Sequence, residues 1–269
     1  MHHLLGHNLN KYENGFMQHL ICMILLSSTL IYAQKSGHET AVAVFKTKDT
    51  IAMAADSRIT WTILSNNPLD KPSLEIADSI CKIFVNKYFI FSAAEFAFFD
   101  KTNYNIFNIA KEICSKPGNI YEKYNAIQNK VINELTKICK YVKQTGFPTT
   151  LDKMKVDFII GGIYKNELTL LRNVIVPLET TWIDGKIEIH DIFLPDSLAR
   201  QDCKALMGVI INREDVFSLP EVKDNYKSPS IYVYNIVKWA CNNYSDVGGD
   251  IAVACFTKRG FTWNKRYLK

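Results

Sequence analysis

Apolar and polar positions along the chain fall into blocks of strand character separated by blocks of helical character. From Thr40 the run TAVAVFKT alternates small and branched residues, Lys48-Asp49 supplies a turn, and TIAMAAD is a second apolar run. Two short runs joined so tightly predict a β-hairpin. Residues 59–80 are mixed, carry the breakers Asn66-Asn67-Pro68 and Lys71-Pro72, and are expected to form an exposed loop. A second hairpin is expected from residues 82–85 and 88–92, turning at Asn86-Lys87.

Helical spacing takes over next. Ile106, Ala110, Ile113 and Cys114 share one face, and beyond Pro117-Gly118 the residues Tyr124, Ile127, Val131, Leu135, Ile138 and Val142 recur at steps of three and four. This predicts two helices of about 15 to 25 residues. Strands return at 156–163 and 168–176, and a further helical pair is expected at 198–212 and 230–244. The chain closes on a hairpin, 250–257 and 261–266, turning at Arg259-Gly260. Strands and helices come in blocks without a βαβ alternation, linker or repeat, which predicts one α+β domain with helices layered on sheets.

Composition narrows the class. With 269 residues, 48% hydrophobic and 22% charged, the chain can bury a sizeable core and is not disordered, collagenous or coiled-coil. The formal charge of +5 is spread without a run of five basic residues, so nucleic-acid binding is not expected. Residues 20–33 (LICMILLSSTLIYA) form an apolar stretch of 14 that ends in Ala33. A bilayer span needs roughly 20 residues, so 1–33 reads as a secretory signal or leader, with an uncleaved anchor or a buried strand as the alternatives. The signal reading implies a secreted or periplasmic protein without stable membrane insertion after cleavage; an unused leader implies the cytoplasm.

Subtracting the leader changes the chemistry available. Five of six histidines precede residue 39, leaving His190. A single histidine builds no multi-His metal site, and it would have to be the base of any Ser-His or Cys-His mechanism. No metal or organic cofactor is called for. Cys81, Cys114, Cys139, Cys203, Cys241 and Cys255 form no CxxC pair, and both disulfides and buried free thiols remain open. The most unusual polar cluster is Asp56-Ser57-Arg58, where an apolar strand ends. It reads equally as a surface salt bridge or as a strand-end active site.

Thr40-Ala-Val-Ala-Val, Ile51-Ala-Met-Ala-Ala-Asp56-Ser57-Arg58, Lys82-Ile83 and Gly248-Gly249-Asp250-Ile251 together resemble the β-type subunits of the proteasome, within the N-terminal-nucleophile (Ntn) hydrolases. The separation of Thr40 from Asp56 matches the family spacing without a gap, and the resemblance covers about residues 40–269. It implies a four-layer αββα sandwich, a propeptide at 34–39, a homo-oligomer, and hydrolysis of a peptide or other amide. By the same resemblance Thr40 is the nucleophile, with its own α-amino group, of pKa about 7.7 to 8, as base. Lys82 keeps the local field positive, Asp56 orients Lys82, and Arg58 supports the cluster. Main-chain N–H groups around Ala94 and Glu95 would bind the oxyanion, and Ser245 and Asp246 would hold the threonine's amino group.

Three positions depart from the family. Glu39 stands at the processing position where a glycine is usual. Ala94 or Glu95 replaces the oxyanion glycine, and Ser245 and Asp246 are displaced in register. These departures favour an alternative of another class, a catalytically inactive proteasome-like assembly or binding subunit. Hydrolysis of a small-molecule amide is a third reading.

Overall fold

The structure is a computed structural model and describes residues 34–38, 40–64, 73–78, 80–145, 154–177, 189–190 and 203–263. The leader, Glu39 and the first part of the expected helix at 198–212 lie outside the described residues. The architecture is α+β. Strands β1 (Gln34–His38), β2 (Ala41–Lys46), β3 (Ile51–Asp56), β4 (Arg58–Leu64), β5 (Ser73–Asp78), β6 (Ile83–Val85), β7 (Phe89–Glu95), β8 (Phe98–Phe99) and β9 (Tyr104–Asn105) come first. Helices α1 (Ile106–Cys114) and α2 (Ile120–Thr145) follow, then β10 (Val156–Tyr164), β11 (Glu167–Ile175), β12 (Ile189–His190) and β13 (Cys203–Gly208). A short helix α3 (Pro220–Lys223), the longer α4 (Pro229–Asn243), and strands β14 (Ile251–Thr257) and β15 (Gly260–Trp263) complete the chain.

The strands make three five-stranded sheets, ordered β5-β4-β1-β8-β9, β12-β11-β10-β7-β6 and β13-β2-β3-β14-β15. Their pairings are antiparallel. In β7, Phe89, Phe91 and Ala93 face α1 and α2, while Ile90 and Ala94 face the third sheet. β10 splits its residues likewise, with Val156, Phe158 and Ile160 toward the helices and Ile159 toward the third sheet. In β2 and β3, Val42, Val44 and Met53 meet the second sheet, while Ala43, Phe45, Ala52 and Ala54 meet α4. This two-sided burial explains why both runs are apolar throughout, and why alanines recur on the face a helix must approach.

Helix ends follow local chemistry. The Asn105 side chain caps α1, accepting from Phe107 N and Asn108 N at 2.9 and 3.1 Å. Asn119 Oδ1 accepts from Tyr121 N at 2.9 Å at the start of α2, just after Pro117-Gly118. The α2 face predicted from spacing is the buried one, from Tyr124 through Val142. Among the described residues no helix is long and apolar enough to cross a membrane. Gly161 on β10 permits the close approach of the second and third sheets, since a Cβ there would lie 2.8 Å from side-chain atoms of both Ile51 and Ile90.

Three expectations are corrected. Residues 59–80 are not simply an exposed loop, because β4 and β5 pair with each other and β4 pairs with β1. The Arg58–Leu64 segment is rich in Ile and Thr, which suit a pleated strand. The expected helix at 198–212 is replaced, over its described part, by β13, whose residues 203–208 pair with β2. The pairing with β2 overrides the helix propensity of Lys-Ala-Leu-Met. The first helix is also shorter than expected, at 9 residues.

Phe158 packs between Phe91 and Tyr124, with ring centroids 5.9 and 5.7 Å away. Phe158→Ala is expected to cost about 3 to 5 kcal/mol, read as a lower urea midpoint at unchanged slope.

Candidate active site

The ends of four strands meet at one edge of the third sheet. Thr40 immediately precedes β2, Asp56 ends β3, Gly208 ends β13, and Gly248-Gly249 lead into β14. Register fixes the meeting, because Gly208 stands opposite Ala41 and Ile251 stands opposite Asp56. Lys82 arrives from outside the sheet, just ahead of β6. The chain leading to it is tied by Ile80 N donating to Ser57 O at 3.1 Å, and Ser92 Oγ donates to the Lys82 carbonyl at 2.8 Å.

Asp56 and Lys82 are each 1% exposed and form a buried ion pair, Lys82 Nζ lying 3.2 Å from both carboxylate oxygens. Lys82 Nζ also donates to the Arg58 carbonyl. The Asp56 carboxylate accepts further bonds from Ala41 N (2.9 Å), Arg58 N (3.1 Å) and Gly248 N (3.4 Å). Burial pushes the Asp56 carboxyl up from the ordinary carboxylate range; Lys82 and the amide donors pull it back. The pair is therefore satisfied by several donors, the condition under which a buried ion pair is tolerated.

Thr40 is 3% exposed, and its carbonyl accepts from Val209 N at 3.1 Å. Gly208 has φ +71°, and a Cβ there would lie 1.7 Å from Thr40 O, so only glycine fits. That same point lies 3.4 Å from the Ala94 Cβ, which brings the end of β7 beside Thr40. Sequence left a one-residue ambiguity between Ala94 and Glu95. The left-handed conformation, the one a glycine would suit, falls on Glu95 at φ +68°. The Glu95 carboxylate is drawn toward Lys155, at 3.6 Å.

Arg58 does more than a surface salt bridge would. Its guanidinium donates to the carbonyls of Ser245 (2.8 Å) and Val247 (3.5 Å), and a Cβ at Gly248 would stand 2.7 Å from its Cζ. Ser245 thus uses its carbonyl on Arg58, and its hydroxyl donates to Asp246 at 3.2 Å. The loop is also bound by Ser57 N and Arg58 N, which both donate to Gly248 O, and by Asp250 N, which donates to Ser57 Oγ at 2.8 Å. The structure brings Thr40, Asp56, Lys82, Arg58 and Ala94 together; Ser245 and Asp246 sit on the outer side of the Arg58 clamp.

Sequence reading missed Gly208, Val209 and the Asp157–Arg172 pair. Arg172 donates to Asp157 through two bonds of 3.0 and 2.6 Å, and Asp157 stands opposite Ala94 on the neighbouring strand. The available signal was one charged residue inside each of two adjacent apolar strands. His190 lies on β12, paired with Val174 at the sheet edge. The six described cysteines are free thiols. Burial pushes Cys241 up to about 11, reinforced by the Asp56 charge, and Cys255 up to about 11 by burial alone. Such thiols are poor nucleophiles near neutral pH.

No protein-family model matches the chain, and no curated protein matches it. Lys82→Met would strand the buried Asp56 carboxylate. It is expected to cost about 3 to 5 kcal/mol in a urea melt, and adding Asp56→Asn is expected to restore part of that loss.

Proposed function

We propose that the chain is a proteasome-like Ntn hydrolase in which Thr40, once freed at its amino group, attacks an amide carbonyl. The observation that carries this reading is the arrangement around Thr40. The next amide, Ala41 N, is held by the buried Asp56–Lys82 pair, and the Thr40 carbonyl is held at Gly208-Val209. The finer fold is the four-layer αββα sandwich. It is supported by three successive cores, between α1/α2 and the second sheet, between the two inner sheets, and between the third sheet and α4.

In this mechanism the Thr40 hydroxyl oxygen bonds to the substrate carbonyl carbon while its proton passes to the α-amino nitrogen. The carbon–nitrogen bond then breaks, and the proton goes to the departing amine. Water attacks the resulting ester, giving up a proton through the amino group to Thr40 Oγ and releasing the acid. An amine of pKa about 7.7 to 8 is partly neutral at working pH, so it can take the proton without a histidine. The fixed Lys82 charge favours the neutral amine and stabilises developing negative charge. The amides at the end of β7, at Ala94 and Glu95, are the candidate oxyanion donors.

The substrate class is supported by β1, which lies between β4 and β8 in the first sheet. Removing it would leave two strand edges facing each other across a gap one strand wide, suited to an extended peptide. A second reading, an inactive binding or assembly subunit, is favoured by Glu39 at the processing position and by Glu95 at the end of β7.

Intact mass and N-terminal sequencing of purified protein, with Thr40→Ala beside it, separate the two. The hydrolase predicts a chain beginning at Thr40. In Thr40→Ala the upstream residues are retained, and peptide hydrolysis falls on the order of 10³-fold or more. A chain that keeps residues before Thr40, with hydrolysis indifferent to Thr40→Ala, overturns the proposal.

A further inference from the structure

The main chain at Thr40 is gripped from two sides, by two loops that belong to different strands. On one side Val209 N, just past β13, donates to Thr40 O at 3.1 Å. On the other, Gly248 N, ahead of β14, donates at 3.4 Å to the Asp56 carboxylate, which also accepts from Ala41 N at 2.9 Å. In the third sheet β13 and β14 stand on opposite sides of the β2–β3 hairpin, so they are not each other's strand partners.

Both loops run to one arginine. Beyond Val209 the chain turns tightly, with Ile211 N donating to Gly208 O and Arg213 N to Ile210 O, each at 3.0 Å. Arg213 Nη1 then donates to Tyr244 Oη at 2.8 Å. Tyr244 closes α4 and opens the other loop: its N–H donates to Ala240 O at 2.9 Å, and its carbonyl accepts from Val247 N at 3.4 Å, one residue before Gly248. These links close a circuit that runs from Thr40 O through Val209, Arg213, Tyr244, Gly248 and Asp56 back to Ala41 N.

The guanidinium is held in the orientation that the circuit needs. Its Nε and Nη2 donate to the two Asp215 oxygens at 2.9 and 2.7 Å, a fork that leaves Nη1 for Tyr244. Its Cζ stands 4.7 Å from the Trp239 ring centroid, and Trp239 meets the Tyr244 ring edge-on at 6.0 Å. A lysine ammonium has no planar fork with which to make these contacts together. The Arg213 side chain is 39% exposed and that of Asp215 61%, and an ion pair so placed adds little to stability. Position, not stability, is what the arrangement supplies.

We infer that Arg213 is a positioning residue: through Tyr244 it holds the loop that grips Thr40 and the loop that grips Asp56 in one fixed relation. The linkage stands on geometry alone. Its consequence for turnover rests on the hydrolase proposal, because a Thr40 that shifts against the Asp56–Lys82 pair leaves its line of attack.

Hydrogen exchange read by NMR on the full chain, with peptide hydrolysis beside it, tests Arg213→Lys, Tyr244→Phe and the double variant. The Val209 amide reports one grip and the Ser57 amide, which donates to Gly248 O at 3.2 Å, reports the other. Both are expected to exchange about five-fold faster or more in each single variant, with the amides of α2 unchanged. The double variant should exchange no faster than the faster single one, since both changes break the same bond. Where the parent hydrolyses peptide, kcat should fall about five-fold or more with KM within about two-fold. Should Tyr244→Phe not fold, Arg213→Gln is read in its place. Smaller acceleration at either amide, acceleration shared by α2, effects that multiply in the double variant, or an unchanged kcat overturns the inference. A parent without hydrolysis overturns the hydrolase proposal instead, and exchange alone then decides the role of Arg213.

Discussion

The Asp56 carboxylate is the point on which the site's geometry depends. It takes bonds from the start of β2, from Arg58 at the start of β4, from the loop before β14 and from Lys82. Four separate pieces of chain are thus held by two oxygen atoms. A buried carboxylate is costly, and a lone ammonium rarely compensates it. Here three amides share the task, and each of them belongs to a backbone that must stay where it is. The ion pair therefore acts less as a source of net stability than as a constraint on position.

Neighbouring residues extend that constraint. Arg58 carries it outward, because its guanidinium binds the Ser245 and Val247 carbonyls while Gly248 leaves room for it. Gly208 carries it sideways, its left-handed backbone letting the chain pass against Thr40 O. Inward, Ala94 has its Cβ 3.4 Å from where a Cβ on Gly208 would stand, and it sits opposite Asp157, whose bidentate partner is Arg172. Burial raises the Asp157 carboxyl and Arg172 counters it. Both charged pairs thus lie close to the end of β7, so the position of Ala94 and Glu95 is fixed from two sides.

What the sequence revealed, and what it hid, follows from how local each cause is. The β2–β3 hairpin and α2 were legible because their partners lie within a few residues or along one face. The first sheet was not, since β4 gains its strand character by pairing with β1, more than twenty residues earlier. β13 was read as helix because its partner β2 lies far back in the chain, beyond any local pattern. Gly208 and Val209 were lost with it. Asp56 stood out as a polar residue ending an apolar strand and Lys82 only through the family resemblance, but the choice between Ala94 and Glu95 needed a φ angle.

The first sheet also bears on how Thr40 could be released. β1 pairs with β4 over five residues and with β8 over two, so cutting after Glu39 would sever one peptide bond and leave those pairings intact. Cleavage and departure are then separate steps under the hydrolase reading. The segment is Gln-Lys-Ser-Gly-His, and its main chain pairs with β4 and β8. A five-residue strand held in that way is weak by itself, and backbone pairing does not discriminate by sequence. Under the hydrolase proposal an incoming extended chain would offer the same bonds, so β1 and a peptide would compete for one position, and a weakly held β1 would be a condition for turnover.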